Sequence, residues 1–272
     1  MNATFLLLCA SLAGAPAGFS PDQLVQVGKG YADKGADDKA IEVLTEALAG
    51  KPKAAAEAEF LLGLCYSRKD KLAEAATHLD KSTALDPKRY DAWVLLGMTR
   101  DLLKDQAAAV EAYRKAIAAA PERPEAHKEL GGTLLLQGKA EEAIAEFQQA
   151  LKVAPFQTDV LGELGYAQLM AKKCEDAAQT LAKARASDKK SADTVAHLGD
   201  AQACLGKTDE AIAAFEDAIK LDPNHARALF HLGLMRMKKG DKPGAKDVLE
   251  RAKKLEPDNA KIGEALERLK AK

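Results

Sequence analysis

The chain has 272 residues, of which 47% are hydrophobic but only 5% are aromatic. This composition, with its heavy use of alanine, indicates helices packed on helices rather than two ordinary mixed domains. The formal net charge of −1 argues against nucleic acid as a general partner, because neutralising phosphates requires a basic surface. No run of 18 apolar residues occurs, so the sequence predicts no transmembrane segment.

Residues 1–19 contain no charged side chain and do not join the pattern of the rest of the chain. An apolar run from Phe5 to Leu12 precedes small residues between Ala13 and Ala17, an arrangement typical of a cleaved secretory signal peptide. No Lys or Arg precedes the apolar run. We expect export to the bacterial periplasm or secretion. The alternatives are an N-terminal helix docked on the first repeat, or a start codon placed too early, with a cytoplasmic location.

Glycines recur at a constant period through residues 20–259. The first is followed after 35 residues by the second, and five more follow at intervals of 34 residues: Gly28, Gly63, Gly97, Gly131, Gly165, Gly199 and Gly233. An alanine stands twelve residues after each of them: Ala40, Ala75, Ala109, Ala143, Ala177, Ala211 and Ala245. This spacing indicates seven tandem copies of one structural unit.

Each copy has the pattern of two amphipathic helices joined by a turn. Apolar residues lie three and four positions apart on both sides of the turn. Gly35, Gly138, Gly206 and Gly240 mark the turn, acidic pairs such as Asp209-Glu210 open the second helix, and a proline usually ends it. The recurrent glycine and alanine are expected where the two helices cross, because larger side chains would hold the backbones apart.

These positions resemble the tetratricopeptide repeat family, whose unit is a 34-residue helix-turn-helix. With the recurrent glycine as position 8, the resemblance also includes an apolar residue at position 7, alanine at position 27 and proline at position 32. Ser82 replaces the alanine at position 27 in one repeat, and Lys189 replaces the proline at position 32 in another. The resemblance implies an all-α, right-handed superhelical solenoid of helix-turn-helix repeats. Residues 260–272 are predicted to form the polar helix that caps its open end.

In this family the first helices of successive repeats line a concave face. The resemblance implies a partner-binding groove on that face, lined by apolar residues at positions 2, 5, 9, 12 and 13: Phe60, Leu64, Val94, Met98, Leu135, Tyr166, Leu169, Phe230, Leu234 and Met237. One rim is acidic: Glu57, Asp91, Glu125, Asp159 and Asp193. We expect the groove to hold an extended or amphipathic-helical segment of another protein. The alternative is that neighbouring helices cover several of these side chains.

Position 9 contains no asparagine. The resemblance therefore does not extend to those family members that clamp the C-terminal carboxylate of chaperones with Lys and Asn.

One cluster of residues is a candidate metal site. Asp193, His197, Asp200 and Cys204 fall on one face of a predicted helix, and His231 repeats the position of His197 one unit later. Mixed His, Asp and Cys ligands can hold a metal ion. Local hydrogen bonds satisfy a histidine between two aspartates equally well, and we favour that interpretation. The prediction is no metal, no cofactor and no catalytic residue.

Cysteine gives a second expectation that depends on the compartment. Cys174 begins the second helix of the fifth repeat, and Cys204 ends the first helix of the sixth, two helices expected to pack antiparallel. A disulfide between them is one possibility. Two separate thiols are the alternative that we favour, with Cys65 as a third.

The sequence thus predicts a non-catalytic protein–protein interaction scaffold that binds another protein or peptide segment. The alternative is a self-associating structural protein, a homo-oligomer that buries its groove against a second copy. A metal-binding protein is less expected.

Overall fold

The structure is a computed structural model that describes residues 18–270, and the regular elements in that range are all α-helices. The described helices are α1 Pro21–Asp33, α2 Asp37–Ala49, α3 Ala55–Arg68, α4 Leu72–Leu85, α5 Tyr90–Leu102, α6 Gln106–Ala119, α7 Pro124–Leu136, α8 Ala140–Val153, α9 Thr158–Met170, α10 Cys174–Ser187, α11 Ala192–Cys204, α12 Thr208–Leu221, α13 Ala226–Lys239, α14 Lys242–Leu255 and α15 Ala260–Lys270. The predicted signal peptide, apart from its last two residues, lies outside the described residues. No helix in the described range is long and apolar enough to cross a membrane.

The helices form two compact units, one ending at Gln137 and the other beginning at Gly138. In the first unit α1 packs on α2, α3 on α4 and α5 on α6. In the second unit α9 packs on α10, α11 on α12 and α13 on α14. Each of these pairs is one predicted helical hairpin, with the odd-numbered helix as its first helix.

Within each unit the first helices lie side by side. In the first unit α3 contacts both α1 and α5, and α5 contacts α7. In the second unit α11 contacts both α9 and α13, and α13 contacts α15. Successive second helices in each unit lie farther apart, although the ion pair between Arg185 of α10 and Asp217 of α12, at 2.8 Å, joins two of them. The first helices therefore form the more closely packed layer. We call its surface the first-helix face, formed in one unit by α1, α3, α5 and α7 and in the other by α9, α11, α13 and α15.

In six of the seven repeats, a large side chain from the second helix closes the hairpin against the recurrent glycine. A Cβ placed on Gly97 would lie 2.5 Å from the ring of Tyr113, and one on Gly199 would lie 2.7 Å from the ring of Phe215. Leucine fills the same position in the other hairpins, opposite Gly28, Gly63, Gly165 and Gly233. The recurrent alanines at position 20 are fully buried. The residue that leaves no room for a side chain at position 8 is nevertheless not this alanine. It is the large residue at position 24, which is Tyr113, Phe215 or a leucine.

The turn inside each hairpin places one residue in the left-handed region of backbone space. Glycine occupies this position in four repeats, with φ of 72° at Gly35 as an example. In the other three repeats the residue is Asp70, Lys104 or Lys172, with φ between 58° and 65°. Residues with a Cβ adopt this conformation at a cost, so the three non-glycine turns carry local strain.

Second helices end at the same position whether or not proline follows. α10 ends at Ser187 although Lys189 replaces the usual proline. Asp188 accepts a hydrogen bond from the backbone N–H of Lys190 at 2.8 Å, and Asp222 accepts one from Asn224 at 2.9 Å after α12. The aspartate before the proline position therefore supports the end of the helix on its own.

Cys174 and Cys204 form a disulfide between the start of α10 and the end of α11, with 5.9 Å between their Cα atoms. The favoured expectation of two separate thiols is wrong for this pair, because the antiparallel packing of α10 and α11 brings the two helix ends together. Cys65 is a buried thiol, and burial raises its pKa to about 12.

The hairpin contact predicts opposite effects for the same substitution at two glycines. Gly97→Ala should lower the free energy of unfolding, because the new methyl group collides with Tyr113. Gly132→Ala should raise it by up to about 1 kcal/mol, because nothing lies within 4 Å and alanine favours the helix. In urea unfolding followed by circular dichroism, we expect the two variants to differ by at least about 2 kcal/mol. Equal stabilities would contradict the close contact.

The turn conformation predicts that glycine stabilises a position now held by lysine. Lys104→Gly should raise the free energy of unfolding by about 0.5–1 kcal/mol, because relief of the left-handed strain exceeds the added chain entropy. Gly138→Lys is the reverse substitution at the same repeat position and should lower stability. Thermal melts of both variants test this. A lower melting temperature for Lys104→Gly would show that the turn is not strained.

Candidate functional site

The ten residues predicted to line a groove all lie on first helices, five in each unit. Met98 is exposed over 43% of its surface, and the other nine are partly buried. The alternative of close packing therefore applies to much of the predicted lining.

In the first unit, neighbouring residues cover part of this lining. The guanidinium of Arg89 lies over the ring of Phe60, 4.3 Å from its centre. Val94 packs against the buried cluster that includes Tyr90 and Ala116. Phe60 and Val94 therefore help to hold the first helices together as well as facing outward.

In the second unit, aromatic and histidine rings cover one another. Tyr166 stacks on His197 with 4.8 Å between ring centres, and Phe230 lies edge-on to His231 at 5.3 Å. Leu169 packs on a cluster that contains Leu181. The stack of Tyr166 on His197 joins α9 to α11, whereas the contact between Phe230 and His231 lies within α13.

The most exposed apolar side chains of the first helices were missed by the sequence analysis. Leu102 is 59% exposed and Leu136 is 74% exposed, and both occupy position 13 at the ends of α5 and α7. Met98 lies four residues before Leu102 and so shares its side of α5. We call Met98, Leu102 and Leu136 the apolar strip. The sequence analysis expected position 13 to face the groove. The leucines at that position could therefore have identified the apolar strip.

Met170, at position 13 of α9 in the second unit, is also exposed, at 55% of its surface. Several other exposed apolar residues lie away from the first helices. Leu85, Leu221 and Leu255 end second helices, and each is at least 40% exposed. Phe156, in the connection between α8 and α9, is 86% exposed and was not predicted.

Ion pairs within the chain partly neutralise the predicted acidic rim. Glu57 pairs with Lys29 at 2.8 Å, and Asp91 pairs with Arg123 at 2.7 Å. Asp193 lies 3.2 Å from the ring nitrogen Nε2 of His225. These contacts join one repeat to the next, so the acidic residues contribute to stacking of the repeats.

The candidate metal ligands surround an arginine. Nη2 of Arg227 lies 2.7 Å from Asp200, and Nη1 lies 3.0 Å from Nε2 of His197. Nδ1 of His231 lies 2.7 Å from the other oxygen of Asp200, and Cys204 is held in the disulfide. The described residues contain no group of three or more potential ligands placed to hold a metal ion. A guanidinium at the centre also repels a cation.

Burial and charge fix the protonation states in this network. Burial, followed by the charge of Arg227, lowers the pKa of His197 to about 4. The neutral imidazole therefore accepts the hydrogen bond from Arg227. Burial alone would raise the pKa of Asp200, but the hydrogen bond from His231 and the charge of Arg227 outweigh it, so the net effect lowers the pKa. The network is an internal ion pair that joins α11 to α13.

Two of the predicted groove residues line a distinct pocket at the last repeat. Leu234, Met237 and Leu269 form its apolar surface, and Lys238, Lys242 and Arg268 lie around it. The pocket has a volume of 510 Å³, and we call it the basic end pocket. Its cations come from the end of α13, the start of α14 and the last turn of α15.

Comparison with known proteins adds to the geometry. Five segments, the first four of which overlap, match the model of a tetratricopeptide repeat family: residues 31–90, 67–124, 103–159, 130–192 and 198–260. No curated protein matches the chain.

Several solved structures are similar. The APC/C hetero-tetramer Cut9-Hcn1 aligns with a TM-score of 0.66 and 21% identity over 98% of this chain, which spans only 51% of that chain. MamA aligns with a TM-score of 0.55 and 28% identity, over 61% of this chain and 97% of its own. YrrB, described as a TPR protein with an unusual peptide-binding site, aligns with a TM-score of 0.58 and 20% identity. The alignment covers 70% of this chain and 98% of the YrrB chain.

The family model matches well over half of the residues, and the hairpins, buried alanines and turn positions agree with it. The chain belongs to the tetratricopeptide repeat family.

Proposed function

We propose that the chain is a non-catalytic scaffold that binds a segment of another protein on its first-helix face. The tetratricopeptide repeat fold supports a role in protein–protein interaction in general, and proteins of this family are generally non-catalytic. The observation that carries the proposal is the apolar strip. Met98, Leu102 and Leu136 expose large apolar side chains on neighbouring, contacting helices. Exposed apolar clusters on a folded surface usually mark a binding site.

A peptide segment is the occupant that this surface favours. Apolar side chains on adjacent helices offer several small contact points, which suits the spaced side chains of an extended or helical segment. The description of YrrB as carrying a peptide-binding site supports this mode of binding. The other predicted residues of the first unit, which are partly buried, contribute at the edges of the contact: Phe60, Leu64, Val94 and Leu135.

We also propose that the chain is exported. The uncharged N-terminal segment supports this location, and so does the disulfide between Cys174 and Cys204, since such bonds persist mainly in oxidising compartments.

The proposal is tested by capture of partners from an extract of the source organism, with residues 20–272 as bait. The test variant carries Met98→Glu, Leu102→Glu and Leu136→Glu. The control variant carries Leu85→Glu, Leu221→Glu and Leu255→Glu, the same chemical change on exposed leucines that end second helices. Circular dichroism confirms that both variants remain folded.

We expect the parent chain and the control to retain the same protein, and the test variant to retain it at least about ten-fold less, a loss of about 1.4 kcal/mol. Equal capture by all three chains would contradict the proposal. Sedimentation of the parent as a dimer, with the test variant a monomer, would instead favour the self-associating alternative.

A further inference from the structure

We infer that the basic end pocket binds an acidic peptide segment that carries an apolar side chain. The inference rests on the proposed function, because Leu234 and Met237 belong to the first-helix face. It adds the chemistry of the partner and the place on the second unit at which the acidic part of the segment binds.

The pocket combines an apolar floor with cations that have no partner in the described chain. The side chains of Lys238, Lys242 and Arg268 make no ion pair or hydrogen bond with any described residue. Cations next to them behave differently. Lys239 pairs with Asp209, and Arg236 pairs with Glu216 at 2.8 Å. The chain therefore neutralises these two neighbouring cations but leaves the three that line the pocket available to a ligand.

Lys242 is placed against the electrostatic preference of its own helix. Five of the other six second helices have an acidic residue in their first turn, which suits the positive end of a helix. α14 has none there, and it begins with Lys242. A cation at this end disfavours the helix, so Lys242 does not serve the stability of α14. The carboxylate of Asp241 already caps this helix end and accepts a hydrogen bond from the backbone N–H of Gly244 at 2.9 Å, so an anionic ligand would be attracted by the lysine.

The charge of the whole C-terminal region points to the same ligand. Residues 226–272 contain thirteen Lys and Arg against seven Asp and Glu, whereas residues 1–225 contain 27 against 34. The last repeat and the capping helix are thus basic in a chain that is otherwise acidic. Such a segregated charge steers an acidic partner toward the basic end.

The lining of the pocket favours a peptide over other polyanions. Leu234, Met237 and Leu269 provide an apolar surface but no aromatic ring on which a nucleic-acid base stacks. A membrane surface is recognised by a broad amphipathic face rather than by a concave pocket. A peptide that alternates carboxylates with an apolar side chain satisfies both the cations and the floor.

The test is a selection of short random peptides displayed on phage, with residues 20–272 as the target. The pocket variant carries Lys238→Gln, Lys242→Gln and Arg268→Gln. The matched control carries Lys88→Gln, Lys115→Gln and Lys183→Gln, which changes the net charge equally at exposed sites away from the pocket. Selected peptides are synthesised, and their binding to all three chains is measured by fluorescence anisotropy at two salt concentrations.

We expect selected peptides to be rich in Asp, Glu and apolar residues, and to bind the pocket variant at least about ten-fold more weakly than the parent. The control should bind within about two-fold of the parent, and added salt should weaken binding. Peptides that bind equally to the parent and the pocket variant would overturn the inference, as would failure to select any peptide.

Two further outcomes separate this inference from the proposed function. Selected peptides that are neutral, and that are lost by the Met98→Glu, Leu102→Glu, Leu136→Glu variant, would leave the proposed function standing and overturn the inference. Sedimentation of the parent chain, but not of the pocket variant, with phosphatidylserine vesicles would also overturn it, because the ligand would then be a lipid headgroup.

Discussion

In six helical hairpins, a large side chain of the second helix lies against the backbone of a glycine in the first helix and closes the hairpin. Tyr113 and Phe215 do this with aromatic rings, and leucines do it in other repeats. The contact leaves no space for a Cβ at position 8, so it fixes how closely the two helices approach. This distance brings the first helices of each unit into contact with one another. The surface available to a partner follows from that arrangement.

Much of this fold follows from the sequence because a repeated spacing reports on every copy at once. The hairpins within each unit, the turn glycines and the buried alanines were all predicted. The residue that faces the recurrent glycine was not, because spacing along a helix does not show which side chain of the second helix crosses it. The strained turns at Asp70, Lys104 and Lys172 could have been predicted from the repeat, because glycine occupies the same repeat position in the other copies.

The candidate site was less predictable because exposure depends on the distance between helices. Phe60 and Tyr166 lie on the expected face, but Arg89 and His197 cover their rings. Leu102 and Leu136 project from the ends of their helices and remain exposed. The disulfide depended on the mutual direction of two side chains 30 residues apart, which the sequence does not define. Similarly, the acidic and histidine residues of α11 form an ion-pair network because Arg227 of the next repeat lies between them.

A double-mutant cycle on Gly199 and Phe215 tests the hairpin contact most directly. Phe215 is fully buried, and its ring lies within 3 Å of the position that a Cβ on Gly199 would take. The account predicts that Gly199→Ala lowers the free energy of unfolding in the parent chain but not in the Phe215→Ala background, with a coupling of at least about 1 kcal/mol. Effects that add to within about 0.5 kcal/mol would show that the glycine is not required by its partner ring.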